Sequence, residues 1–415
     1  MSDIELEAEP GEVGLEPDRL ARIDAHFRAF VDDGRLPGWL IAVARHGRVA
    51  HLSTYGHRDR EEGLPVEADT LFRIYSMTKP ITSVAAMMLY EEGAFELKDQ
   101  VKWHLPEFRE TRVYRSGPST KVVTEPVTEP MRIWHLLTHT AGLTYGFHYV
   151  HPVDALYRSA GFEFGPPRDV TLAEAVEKWA SMPLVFQPGT SWNYSVATDV
   201  LGRLVEVLAG EPFEDFVRSR ILDPLGMDDT SFFVPDERRD RLAQLYVPAP
   251  HRQCSPAASF GPVPHNPPPF PSGGGGLVGT AGDYMRFCEM LRRHGEYESP
   301  TGSGGRLLGP RTHAYMVRNH LPGGVDLEAY GQSTFAETSF DGVGFGLGFS
   351  VVDDAAAGKV VGNEGEYGWG GAASTAFWVD PADDIVVLFM TQLLPSSTYA
   401  IRPQLRQLVQ QAVVA

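Results

Sequence analysis

The sequence predicts an α+β fold: one antiparallel sheet flanked by an N-terminal and a C-terminal helix, with a mainly helical domain inserted. Three observations carry this expectation. A helix and strands open the chain, helical patterns fill its middle, and strand patterns return only near its end, before a last amphipathic segment. Strands distant in sequence then share one sheet. Residues 1–80 and 280–415 form a discontinuous α/β domain, and residues 81–279 form the helical one with its long loops. A site is expected in the cleft between them.

Taken in order, residues 16–33 put Leu20, Ile23, Phe27, Phe30 and Val31 on one helical face, and Gly34 ends the helix. Leu40–Gly56 reads as two strands joined at His46-Gly47. Leu71–Tyr75 is a short strand, followed by a buried helix that stops at Gly93. Thr171–Glu174 is a capping box, Ala197–Leu208 is a helix stopped by Gly210, and Pro212 opens another through about Leu222. Thr280–Asp283 opens the helix of Met285, Phe287, Met290 and Leu291. Strand character returns at Phe345–Val352, Ala373–Val379 and Ile385–Thr391, with a turn at Asp380–Asp384. The last helix, Tyr399–Val413, carries Ile401, Leu405, Leu408, Val409 and Ala412. No internal repeat is visible.

The chain has 415 residues, 43% of them apolar, enough for a large core. Its net charge of −18 disfavours nucleic acid and anionic lipid as partners. No apolar run approaches the roughly 18–20 residues of a membrane span. The acidic start, Met1-Ser-Asp-Ile-Glu-Leu-Glu7, has neither the basic nor the apolar part of a signal peptide. The expectation is a cytoplasmic protein with no membrane or nucleic-acid partner. Cys254 and Cys288 are distant and read as free thiols.

The chemistry is concentrated in Ser76-Met-Thr-Lys79. Three residues apart on a helix, a hydroxyl and an amine share one face. That suits a serine nucleophile whose proton passes to a lysine. Among Lys79, Lys98, Lys102, Lys121, Lys178 and Lys359, only Lys79 has a serine three positions before it. At a helix N-terminus the Ser76 N–H is free and the dipole favours negative charge. The competing reading is a serine N-cap beside a surface lysine. Two further stretches bear on the choice: Gln187–Val196, with Tyr194 before a helix start, and Gly368-Trp369-Gly370-Gly371-Ala372, whose glycines let a strand backbone approach a ligand closely.

Together these stretches resemble the serine β-lactamase and penicillin-binding-protein superfamily, and within it the family VIII carboxylesterases, relatives of class C β-lactamases. The resemblance runs over roughly residues 16–395 and includes Ile133–Gly142, Pro224–Met227 and Ser272–Leu277. It implies a β-lactamase-like fold, catalytic Ser76, Lys79 and Tyr194, and an oxyanion hole from the N–H groups of Ser76 and Ala372. Trp369, Gly370, Gly371 and Val196 would meet substrate. No cofactor or metal is implied. Two departures stand out. Trp369 replaces the lysine of the third β-lactamase motif, and Val196 replaces the asparagine of the second. Both favour neutral esters with apolar, short-to-medium acyl groups. The partner is then a small-molecule ester. Open alternatives are an acyltransferase, a β-lactamase or D-amino-acid peptidase, and a binding protein that kept the fold without the chemistry.

Holding a lysine neutral at pH 7 against its ordinary basicity takes roughly 4.6 kcal/mol, within what burial supplies. Without the third-motif lysine, a Tyr194 phenolate loses its second positive neighbour. The expected mechanism therefore has neutral Lys79 taking the serine proton and Tyr194 relaying a proton to the leaving alcohol.

Other signals are set aside. There is no Gly-x-Ser-x-Gly elbow. Gly274-x-Gly276-x-x-Gly279 follows a Pro-rich loop and not a strand, so it is no dinucleotide fingerprint. His135 and His139 lack the glutamate of a zinc motif and read as structural. The Pro- and Gly-rich stretch 248–276 is either a cleft wall or a surface connection. Of Tyr145, Phe147, Tyr149, Tyr157, Phe162 and Phe164, most are expected to pack internally and one or two to line an acyl pocket.

Overall fold

A computed structural model describes residues 4–167, 169–257, 261–298, 302, 304–331 and 339–414. Eight strands form the main sheet: β1 (Gly38–Arg45), β2 (Arg48–Asp59), β3 (Leu64–Pro65), β4 (Val343–Phe345), β5 (Ser350–Val352), β6 (Tyr367–Gly370), β7 (Ala376–Asp380) and β8 (Ile385–Met390). Their order is β4-β5-β6-β7-β8-β1-β2-β3, antiparallel throughout. The early and late strands meet where Leu40 faces Met390 and Ala44 faces Val386. β1 turns into β2 at His46 (φ 54°) and Gly47 (φ 72°). Two successive positive φ values match the tight hairpin whose twist suits the flanking strands.

Helices cover both faces of the sheet. On one side Ile41, Val43, Ile385, Val387 and Phe389 pack with α1 (Pro17–Asp32) and α5 (Ile401–Gln410) through Ile23, Phe27, Leu405 and Val409. On the other side Leu40, Ala42, Ala44, Val386, Leu388 and Met390 join the larger core with α2 (Thr78–Glu91), α3 (Ala197–Ala209) and α4 (Ala281–Arg292). A strand covered on both faces has no solvent side to keep polar, which is why β8 and β1 up to Ala44 read as apolar. Every residue of α2 from Thr78 to Leu89 is buried, as expected of a helix apolar all round.

The fold class holds, with local corrections. Phe345–Val352 is not one strand but the ends of β4 and β5 around a turn. Gly348 in that turn has φ 97°, and a Cβ there would lie 2.1 Å from Ser83 Oγ. The expected strand Leu71–Tyr75 shrinks to Phe72–Arg73, paired with Val278–Gly279. Among the described residues, sequence reading also missed three small antiparallel pairs: Arg112–Ser116 with Val123–Pro126, Tyr246–Ala249 with Gln253–Pro256, and Glu296–Glu298 with Gly304–Arg306. Cys254 and Cys288 are both free and buried. Among the described residues no helix is long and apolar enough to cross a membrane.

Candidate active site

Ser76 lies in a single 3-10 turn, Tyr75–Met77, that runs into α2 at Thr78. Tyr75 has φ 45°, a strained conformation for a bulky residue, so the chain bends sharply just before the serine. The N-cap position of α2 is Met77, and no side chain caps the helix. The capping role considered for Ser76 is therefore not the one it plays. Nor is Lys79 a surface group. It is 2% exposed, and its Nζ donates to Ser76 Oγ at 3.2 Å and to the Gly274 carbonyl at 2.6 Å.

Tyr194 completes the cluster. Its ring lies 4.4 Å from Lys79 Nζ, and the Tyr145 ring is 5.4 Å away on another side. Trp369 Nε1 donates to the Tyr194 hydroxyl at 3.3 Å. An indole N–H can only donate, so the phenol oxygen accepts there and any proton it carries points elsewhere. Where a β-lactamase has a cation beside this oxygen, Trp369 thus offers one neutral donor. Behind the tyrosine, His148 Nε2 donates to the Tyr194 carbonyl at 2.6 Å, and His139 Nδ1 lies 3.2 Å from Ser195 Oγ. Burial, with Lys79 nearby, holds the His139 imidazole well below its usual range.

The Pro- and Gly-rich stretch proves to be a cleft wall, at Pro248, Phe270, Ser272, Gly274 and Gly275. Asp199, in the first turn of α3, accepts from Ser272 Oγ at 2.6 Å and from Gly274 N–H at 2.9 Å. A Cβ on Gly274 would lie 2.5 Å from Asp199 Oδ2. Burial raises the Asp199 carboxyl above its usual range, against the pull of Ser272, Lys79 and the Gly274 N–H. Asp199 thus anchors the residue whose carbonyl holds Lys79. Sequence reading missed Asp199, Ser272 and Gly274. The available signal was an acid in the buried stretch that follows Tyr194.

The end of β6 comes up against the same turn. A Cβ on Gly371 would lie 2.5 Å from Ile74 O, just ahead of Ser76. A Cβ on Gly370 would instead meet Arg402 Cζ at 2.3 Å. Ser76, Tyr194, Val196, Trp369, Gly370, Gly371 and Ala372 all line one cavity of about 840 Å³, with Lys79 buried beside it. Tyr145, Phe147, Tyr149, Phe162 and Phe164 line it too, whereas Tyr157 is buried in the core. More of these aromatics face the cleft than expected. Tyr145 and Phe147 stack at 4.6 Å, forming a flat apolar wall.

His135 is structural, as read. Its Nδ1 accepts the Arg132 N–H at 2.9 Å at the start of a short helix. Burial pushes this imidazole down to about 4, from 6.5 in the unfolded chain. The unfolded state then binds the extra proton first. The stability this provides is present above pH 6.5 and lost as pH falls toward 4, with a limiting slope of ~1.4 kcal/mol per pH unit. Urea midpoints at pH 7, 6 and 5 should fall more steeply for the wild type than for His135→Gln.

The Beta-lactamase family matches residues 23–411. The chain belongs to the β-lactamase family. This β-lactamase-family chain is 34% identical over 386 residues to esterase EstB of Burkholderia gladioli, covering 89% of this chain and 90% of that one. The solved structure of EstCE1, described as a hydrolase with promiscuous acyltransferase activity, is 31% identical with a TM-score of 0.77, over 94% of this chain and 98% of that one. Simvastatin synthase (LovD) of Aspergillus terreus is 23% identical with a TM-score of 0.78, over 96% and 98%, and shares the fold. The family resemblance read from the motifs holds, and the protein is a serine hydrolase of β-lactamase-like α+β fold.

Proposed function

We propose that the protein is a serine carboxylesterase that hydrolyses neutral esters with apolar acyl groups through an acyl-enzyme on Ser76. The observation that carries this reading is Lys79 Nζ, 3.2 Å from Ser76 Oγ and buried beside an aromatic cleft. A neutral amine has two N–H groups and one lone pair. With one N–H held by Gly274 O, the lone pair can face Ser76 Oγ and take its proton as the oxygen attacks the ester carbonyl. The ammonium so formed meets the Tyr194 face, the Gly274 carbonyl and the negative end of the Asp199 network.

The carbonyl oxygen becomes negative as the tetrahedral intermediate forms. The N–H groups of Ser76 and Ala372 are the donors for it. Collapse of the intermediate breaks the bond to the alcohol. Tyr194 gives its proton to that oxygen and is reprotonated by Lys79. Water then attacks the acyl-enzyme by the reverse route and Ser76 regains its proton. Val196 and Trp369 are neutral where a β-lactamase carries an amide and an ammonium, so neither of these two positions offers a substrate carboxylate a positive charge. EstB, an esterase by name, supports the reading.

A second reading is acyl transfer, favoured by the likeness to EstCE1. A cavity of about 840 Å³ has room for an acceptor alcohol beside the acyl group. The test compares short p-nitrophenyl esters, a chromogenic cephalosporin and a D-alanyl amide, with and without a competing alcohol. An esterase turns over the esters by far the fastest. Dominant cephalosporin or amide cleavage would overturn the proposal, and a product ratio shifted mainly to the new ester would favour transfer.

A further inference from the structure

Arg402, in the first turn of α5, donates from one guanidinium nitrogen to Gly371 O at 3.0 Å and to Thr375 O at 3.1 Å. Room for it comes from the strand. Along β6 the side chains alternate, so Trp369 faces the cleft with Tyr194, while Gly370, paired with Ala376, faces the terminal helices. A Cβ at Gly370 would sit 2.3 Å from the guanidinium carbon. The glycine expected to admit a ligand therefore admits an arginine from behind.

A trans peptide is planar, with its C=O and N–H on opposite edges. The oxygen of Gly371 and the N–H of Ala372 belong to one such unit. Gripping that oxygen from the α5 end directs the Ala372 N–H away from Arg402; Ser76, Ala372 and Arg402 all line the one cavity, and a Cβ on Gly371 would lie 2.5 Å from Ile74 O, just ahead of Ser76. The turn shares in this: Gly371 O also accepts from Ser374 N–H at 3.2 Å, and Gly371 N–H donates to Thr375 O at 2.8 Å, so the charged guanidinium adds to a peptide the backbone already steadies. A guanidinium stays charged in a protein. A charged donor on a carbonyl polarises the peptide and makes its N–H a stronger donor.

We infer that Arg402 is a positioning residue for the oxyanion hole: it orients and polarises the Gly371–Ala372 peptide, and Gly370 is glycine to let it in. The inference rests on the proposed role of the Ala372 N–H. A negative oxygen is held only in the transition states and intermediates, so the effect falls on kcat and not on KM.

The experiment uses Arg402→Gln, Arg402→Lys, Gly370→Ala and the Gly370→Ala/Arg402→Gln double variant. Each is assayed on a p-nitrophenyl ester and titrated with a fluorophosphonate. Deleting a donor outright costs ~10²–10³ in kcat, so weakening one should cost Arg402→Gln ~10–100-fold. Its KM should stay within about twofold, and labelling at Ser76 should remain stoichiometric though slower. Arg402→Lys should recover part of the loss. Gly370→Ala should match Arg402→Gln, and the double variant should be no worse than the poorer single, because both act on one contact. An unchanged kcat in Arg402→Gln, a loss carried by KM, or additive losses would overturn the inference. Should Arg402→Gln fold poorly, Arg402→Lys and Gly370→Ala decide it by the same criteria. A wild type left unlabelled at Ser76 would instead sink the esterase reading, and with it the role given to Ala372.

Discussion

Replacing Ser76 by alanine is expected to lower kcat/KM for a p-nitrophenyl ester by roughly 10⁴–10⁶-fold, the range seen when a serine nucleophile is deleted. The hydroxyl caps no helix; its partner is Lys79 Nζ at 3.2 Å. Stability should therefore change little, within about ±0.5 kcal/mol, as for substitutions that touch no structural feature. A variant that folds like the wild type and turns over almost nothing separates chemistry from structure. Retention of more than a hundredth of the activity would mean that another group attacks the ester, or that water does so directly.

The second large effect belongs to Lys79 and Tyr194. Lys79→Arg keeps a positive charge but cannot offer a lone pair, since arginine does not deprotonate in proteins. Loss of a general base typically costs 10²–10⁴-fold, and acylation by Lys79→Arg should fall by ~10³–10⁴. The bulkier guanidinium must also fit where Nζ lies 2.6 Å from Gly274 O, so some loss of stability accompanies it. Tyr194→Phe keeps the ring over Lys79 but removes the proton relay and leaves the Trp369 N–H without that acceptor. It should lose ~10²–10⁴ in kcat for poor leaving alcohols and much less for p-nitrophenol, which leaves without a proton. Pre-steady-state bursts over an ester series of rising alcohol pKa would show this divergence. Near-normal acylation by Lys79→Arg would refute the neutral-amine mechanism. A Tyr194→Phe loss independent of the leaving group would refute the relay.

Much of this arrangement can be read directly from residue spacing. Ser76 and Lys79 lie one helical turn apart, so any helix there brings them together. β1 and β8 are apolar on both faces because helices cover both, and local composition records that. Other features depend on contacts between distant segments, which no window reveals. Gly274, whose carbonyl holds Lys79, is itself held by Asp199, 75 residues earlier, which accepts its N–H. Arg402 reaches Gly371, 31 positions earlier in the chain. The turn inside Phe345–Val352 hid within an apolar run, since its residues pack as well in a turn as in a strand. The aromatics of Tyr145–Phe164 had the composition of a core, and only their placement shows that they wall a cleft.

The central claim is that Ser76 carries the acyl group. Rapid acid quench during turnover of a slow ester, followed by peptide mass spectrometry, tests it most directly. The expected result is one acyl adduct per chain, on the peptide containing Ser76, and absent from Ser76→Ala. An adduct on Ser195, Ser272 or any other residue, or full hydrolysis with no adduct at any time point, would contradict it.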